Sequence, residues 1–182
     1  LKDDQAIEPL WHWVDPYTYR NQLKLPKLII NGTNDRYWTV DALNNYWDDL
    51  VGQKHIRYVP NAGHNLKGGR EGAVATLAAF TQHVASSKPF PEIEWKHESV
   101  DGGYRLVMQS DVTPIAARLW TAESDSKDFR ESQWKSQTLK SVGKQYQGEA
   151  AAPVGKHVAL FGELEYKLDN QTYSLSTQLR RE

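Results

Sequence analysis

The chain has 182 residues, enough for one domain or two small ones. Its charged share of 25% is that of a globular protein, and a net charge of −1 argues against a nucleic-acid or anionic-membrane partner. With no Cys there is neither a disulfide nor thiolate chemistry, and no apolar run reaches the length of a membrane span. We therefore expect a globular protein with no nucleic-acid partner and no membrane span.

The first half of the chain, 1–88, is predicted to alternate strands with helices. A short helix lies within 15–25, between two prolines. Apolar runs at 27–30 and 55–60 are typical of strands buried on both faces of a parallel sheet, and helical spacing predicts crossover helices over 39–50 and 72–85. The predicted apolar stripe of the last helix consists of Val74, Leu77, Ala78, Thr81 and Val84. This order predicts an α/β fold with parallel strands.

The second half, 89–182, has the pattern of a small antiparallel β-sandwich. Alternating apolar residues predict strands at 93–98, 104–109, 115–121, 158–166 and 172–179. The residues expected to point into its core include Trp95, Leu106, Leu119, Leu160 and Leu164. A polar, proline-bearing stretch at 86–91 precedes these strands, and we predict a domain boundary there.

Asp35 and His64 each follow the carboxyl end of a predicted parallel strand, where active sites of open α/β sheets form. In α/β-hydrolases the chain order is nucleophile, acid, histidine, and the acid holds the imidazole in the tautomer that accepts the proton of the nucleophile. An Asp after a strand is also a common turn residue. The spacing and the strand ends predict Asp35 and His64 as catalytic acid and base.

Tyr37 and Trp38 directly follow the acid and are candidate substrate contacts. Aromatic residues at a strand end more often fill the edge of a core, and we favour that interpretation. The remaining histidines show no metal-binding spacing, and the glycine-rich stretch 68–72 is better explained as the start of a helix than as a phosphate loop. We expect no metal and no cofactor.

Three segments carry a family resemblance: DPYTYR at 15–20, LPKLIINGTNDRYW at 25–38 and VPNAGHNL at 59–66. They resemble the PhoPQ-activated pathogenicity-related protein family, densely over about the first 90 residues. The resemblance implies an α/β-hydrolase fold, a secreted or periplasmic setting, and Asp35 and His64 as acid and base.

The nucleophile of such an enzyme is missing from the sequence. No Gly-x-Ser-x-Gly occurs, and no Ser lies between a buried strand and a Gly-initiated helix before Asp35. We expect the nucleophile and the oxyanion-hole loop in sequence preceding Leu1, which makes this chain the C-terminal half of an α/β-hydrolase sheet followed by the β-sandwich. The expected partner is the N-terminal half of the same protein.

Two functions follow from this interpretation. The first is a serine-type hydrolase that transfers the acyl group of a small ester or peptide substrate, with this chain inactive by itself. The alternative is a catalytically inactive α/β-hydrolase-like protein that binds or signals outside the cell, with the β-sandwich as its functional part. The residue at the nucleophile position of the longer protein distinguishes them, since Ser favours the enzyme and Gly or Asp favours the binding protein.

Overall fold

A computed structural model describes residues 8–182, which form two α-helices, two 3₁₀ turns and eleven strands. The helices are α1 (Glu8–Val14) and α2 (Arg70–Ala85), and the 3₁₀ turns are Pro16–Tyr19 and Ala42–Asn45. The strands are β1 (Lys27–Gly32), β2 (Lys54–Val59), β3 (Ile93–Val100), β4 (Gly103–Ser110), β5 (Ala116–Ser124), β6 (Lys135–Thr138), β7 (Ser141–Val142), β8 (Gln145–Ala151), β9 (His157–Leu168), β10 (Gln171–Ser176) and β11 (Arg180–Arg181). Neither of these helices has the length and apolar character needed to cross a membrane.

The strands form two sheets. Seven belong to a mixed sheet in the order β1-β2-β10-β9-β5-β6, with β11 paired to β9, and four form an antiparallel sheet in the order β3-β4-β8-β7. Within residues 8–182, β1 and β2 are the one parallel pair, with Lys27 opposite Lys54 and Gly32 opposite Val59. Strand β10, from the second half of the chain, pairs antiparallel with β2 at Ser176 and Ile56. A single sheet thus contains strands from both halves of the chain.

The predicted fold class, the C-terminal half of an α/β-hydrolase sheet, is wrong. The described chain is mostly β, and its parallel pairing is limited to β1 and β2, since β10 pairs antiparallel on the other side of β2 and no described strand pairs with the outer edge of β1. The connection from β1 to β2 contains a 3₁₀ turn, Ala42–Asn45, where we predicted an α-helix. Its Asn and Asp residues favour turns over helix because their side chains compete for backbone hydrogen bonds. The predicted helix within 15–25 is likewise the 3₁₀ turn Pro16–Tyr19.

Helix α2 forms as predicted, but it buries a different face. Its buried residues are Ala73, Thr76 and Ala79, while Val74 and Leu77 from the predicted apolar stripe are exposed. The small buried side chains let the helix lie close to β10, where the Thr76 hydroxyl donates to the backbone carbonyl of Ser174 at 3.2 Å. Val74, Leu77 and Val84 are left on the surface, whereas Phe80 is partly buried against the core.

The two sheets pack against each other over a continuous core. Four residues expected in that core are fully buried, namely Leu106, Leu119, Leu160 and Leu164. Trp95 packs against the core and is partly buried. The same cluster includes Ala79 from before the predicted boundary at 86–91, Phe90 from within it and Leu106 from after it. The division into 1–88 and 89–182 stays a prediction, and the two parts share a sheet and a core.

Candidate functional site

The candidate site is formed by the two loops that follow the parallel strands. Asp35 lies three residues beyond the end of β1, and His64 lies five residues beyond the end of β2. Because the strands are parallel, both loops leave from the same edge of the sheet. The backbone N–H of Asn34 donates to the carbonyl of Ala62 at 2.9 Å, which joins the loops directly.

Gly32 permits the close approach of these loops. A Cβ atom at this position would lie 2.6 Å from the carbonyl oxygen of Gly63 and nearer still to that of Ala62. Both neighbours are backbone atoms, which cannot rotate away as a flexible side chain can. Gly63 itself is different, because its nearest neighbour would be the carbonyl oxygen of Asn34 at 3.8 Å, an ordinary contact. The position that has no room for a side chain is therefore Gly32, at the end of β1, and not Gly63, next to His64.

Asp35 and His64 are joined by a hydrogen bond of 2.9 Å between Oδ2 and Nδ1. Asp35 is buried, with 2% of its surface exposed, whereas 54% of the His64 side chain is exposed. The other carboxylate oxygen, Oδ1, accepts the backbone N–H groups of Tyr37 at 2.8 Å and Trp38 at 3.1 Å. These three bonds hold the carboxylate in one orientation beneath an accessible imidazole.

The electrostatics keep Asp35 ionised. Burial by itself raises the pKa of Asp35, but the backbone N–H of Tyr37, the side chain of His64 and the N–H of Trp38 outweigh it, so the pKa lies below its ordinary value. Since a carboxylate only accepts hydrogen bonds, Nδ1 of His64 carries a proton, and Nε2 of the neutral ring is free to accept one. Such a pair can take up a proton at Nε2, with the resulting imidazolium stabilised by the adjacent carboxylate.

Two aromatic side chains stand beside the imidazole. The ring centroids of Tyr37 and Trp38 lie 5.1 Å and 6.4 Å from that of His64, both in edge-to-face geometry. Tyr37 is 75% exposed and Trp38 is 65% exposed. The expectation that they fill the edge of the core is wrong for the described chain. Their use as substrate contacts stays a prediction.

Open space begins next to the site. A surface depression of about 1050 Å³ starts at Asn65, the residue after His64, and runs along the first turns of α2 past Arg70 and Val74 to Gln171. Helix α2 begins at Arg70 with Gly69 as its N-cap residue, so the stretch 68–72 forms the start of this helix. Among the described residues there is no group of three or more His, Asp or Glu side chains placed to hold a metal ion.

Sequence reasoning missed two residues that hold the loops in place. The side-chain amide of Asn34 donates to the carbonyls of Arg130 at 3.0 Å and Ser132 at 2.7 Å. Asn61 donates to the carbonyl of Trp134 at 3.0 Å and accepts the N–H of the same residue at 2.7 Å. The one sequence feature that could have pointed to them is their position, since each is an Asn within three residues of a candidate catalytic residue. Their partners lie in a weakly patterned stretch and could not have been inferred.

The fold and the site define a predominantly β protein with a carboxylate–histidine pair at the carboxyl end of a short parallel strand pair. The family model of the PhoPQ-activated pathogenicity-related protein matches residues 1–130. The chain belongs to this family, as the resemblance of its first 90 residues implied; the α/β-hydrolase fold expected with it is not what the described residues form.

One curated relative is Autocrine proliferation repressor protein A of Dictyostelium discoideum, with 29% identity over 140 residues. The match covers 71% of this chain and 28% of that protein, so the chain spans less than a third of the length of its relative. A solved crystal structure described as a Br derivative of BhCBM56 aligns with 52% of this chain and 94% of its own, at 7% identity and a TM-score of 0.36. That likeness is too weak to support a conclusion about fold or function.

Proposed function

We propose that Asp35 and His64 are the orienting acid and the general base of a serine-type hydrolase, which transfers the acyl group of a small ester or peptide. The observation that carries this proposal is the 2.9 Å bond between a buried carboxylate and an exposed imidazole. General-base catalysis needs an imidazole that a substrate can reach, and the exposure of His64 meets this requirement. Tyr37 and Trp38, which are exposed beside the imidazole, are the proposed substrate contacts.

The proposed nucleophile comes from polypeptide outside this chain, most simply the N-terminal half of the same protein. Among residues 8–182, no Ser or Thr hydroxyl is hydrogen-bonded to His64. Large apolar side chains are also exposed in the part of the chain that carries the site, among them Trp13, Leu25, Val74 and Leu77. We propose that another polypeptide covers these side chains, which would remove their apolar surface from water. We further infer a secreted or periplasmic setting from membership of the family.

The test uses the longer protein that contains this chain, with a fluorophosphonate probe for an activated Ser and a panel of acyl esters. We expect His64→Ala to lower turnover by roughly 10³-fold or more, because members of a catalytic triad act as a unit. Asp35→Asn should cost a comparable factor, because it removes the charge that stabilises imidazolium. His12→Ala is the matched control, since His12 is exposed on α1 and lies outside the site. Equal turnover in all four proteins would refute the proposal.

A second candidate is a protein that binds or signals without catalysis, and the observation in its favour is the relative named as a proliferation repressor. In that case the probe labels no Ser in the longer protein, and His64→Ala leaves its biological effect unchanged. Probe labelling that depends on His64 would exclude this candidate.

A further inference from the structure

Residues 129–134, which we call the bracing segment, pass over both site loops on the way from β5 to β6. Its two ends are buried aromatic anchors, Phe129 and Trp134, and the Trp134 ring lies 5.3 Å from that of Phe161 on β9. Between the anchors, the hydroxyl of Ser132 donates to the carbonyl of Glu123 at 2.9 Å. The segment is therefore attached at both ends to a core to which both halves of the chain contribute.

Each site loop is hydrogen-bonded to the bracing segment, and the two loops are hydrogen-bonded to each other next to these contacts. The hydroxyl of Thr33, a residue with 1% of its surface exposed, donates to the side-chain oxygen of Asn34 at 2.8 Å and accepts the backbone N–H of Asn61 at 2.8 Å. The amides of Asn34 and Asn61 then bond to the backbone of the bracing segment, as described above. Asn61 also has a φ of 58°, which Asn tolerates better than most residues.

We propose that the bracing segment sets the relative position of Asp35 and His64, and that Asn34 and Asn61 are positioning residues for the pair. Asn34 is adjacent to Asp35, and Asn61 lies three residues before His64. A displacement of about 1 Å between the loops would take the 2.9 Å bond out of hydrogen-bond range. This inference rests on the proposed function for its catalytic meaning, and it assigns the second half of the chain a part in building the site.

The experiment measures the pair itself and not turnover. Asn61→Gly removes both side-chain hydrogen bonds to Trp134 and keeps a residue that accepts the positive φ. Asn34→Ala removes the hydrogen bonds to Arg130 and Ser132 together with the acceptor of the Thr33 hydroxyl. The control is Asn44→Ala, which removes a hydrogen bond of the same kind, from the side-chain amide to the carbonyl of Leu179 at 2.9 Å. NMR on the 182-residue chain then follows the Nδ1 proton of His64 and the pKa of the Asp35 carboxyl group.

In Asn61→Gly and Asn34→Ala we expect the Nδ1 proton to exchange with water about tenfold faster, the factor that corresponds to one lost hydrogen bond. The pKa of Asp35 should rise, since the bond to His64 lowers it. Asn44→Ala should leave both unchanged. If folded Asn34→Ala keeps the wild-type exchange rate of the Nδ1 proton and the wild-type pKa of Asp35, the inference is overturned, even if Asn61→Gly fails to fold. An intact pair without turnover in the longer protein would instead refute the proposed function and leave the bracing segment unaffected.

Discussion

Replacing Gly32 with Ala tests whether the close approach of the two loops creates the site. The added Cβ atom would lie 2.6 Å from the Gly63 oxygen and nearer to that of Ala62, against about 3.3 Å for the closest common carbon–oxygen contacts. The loops must separate by roughly 1 Å to relieve this overlap, which stretches the Asp35–His64 bond beyond hydrogen-bond range. Overpacking costs about 1–3 kcal/mol and the lost hydrogen bond about 1 kcal/mol more. We expect Gly32→Ala to lower the free energy of unfolding by about 2–4 kcal/mol.

Urea denaturation measures this loss, and NMR of the His64 Nδ1 proton reports whether the pair survives. The matched control is Gly63→Ala, one residue from His64, where the new Cβ meets its nearest neighbour at 3.8 Å. Stability in the control should stay within about 0.5 kcal/mol of the wild type, with the Nδ1 proton still protected. The reasoning fails if Gly32→Ala matches Gly63→Ala in both measurements, because the loops would then have room that the structure does not show.

Three further outcomes are expected. Burial lowers the pKa of His55 to about 4, against 6.5 for an unperturbed histidine. The unfolded chain therefore binds a proton at His55 that the folded chain does not, and this group should lower the free energy of unfolding by about 3 kcal/mol between pH 6.5 and 4 in urea titrations. Burial also lowers the pKa of His97 to about 4, so His97 adds a similar fall and His55→Leu should lose about half of the slope. Trp38→Ala should change stability by less than about 0.5 kcal/mol, whereas Trp134→Ala should cost about 3–5 kcal/mol; similar losses would contradict the burial of Trp134 and exposure of Trp38. Limited proteolysis should cut near Lys88, and the fragments should remain associated on gel filtration because β2 and β10 share a sheet; separate elution would contradict that pairing.

The local pattern of apolar residues in the sequence was sufficient to predict much of the site. An apolar run followed by Asn-Gly predicted where β1 ends, a second run predicted β2, and parallel strands bring the residues that follow them to one edge. Asp35 and His64 could be singled out on that basis, and the structure brings them to hydrogen-bond distance. The alternation of apolar residues likewise predicted five of the nine strands of the second half, β3, β4, β5, β9 and β10, and its buried leucines.

The features that local sequence patterns did not predict depend on contacts between distant parts of the chain. No periodicity shows that β10 pairs with β2, because a strand looks the same whichever neighbour it acquires, and this pairing replaces the expected α/β sheet with a mixed one. The buried face of α2 was misjudged for a related reason: Ala73 and Ala79 allow a close approach to β10, which excludes the larger Val74 and Leu77 from the interface. The bonds from Asn34 and Asn61 join residues roughly 70 to 100 positions apart, a separation at which side-chain amides leave no sequence signal. Sequence therefore determined which groups could do chemistry, and the tertiary structure decided what holds them in place.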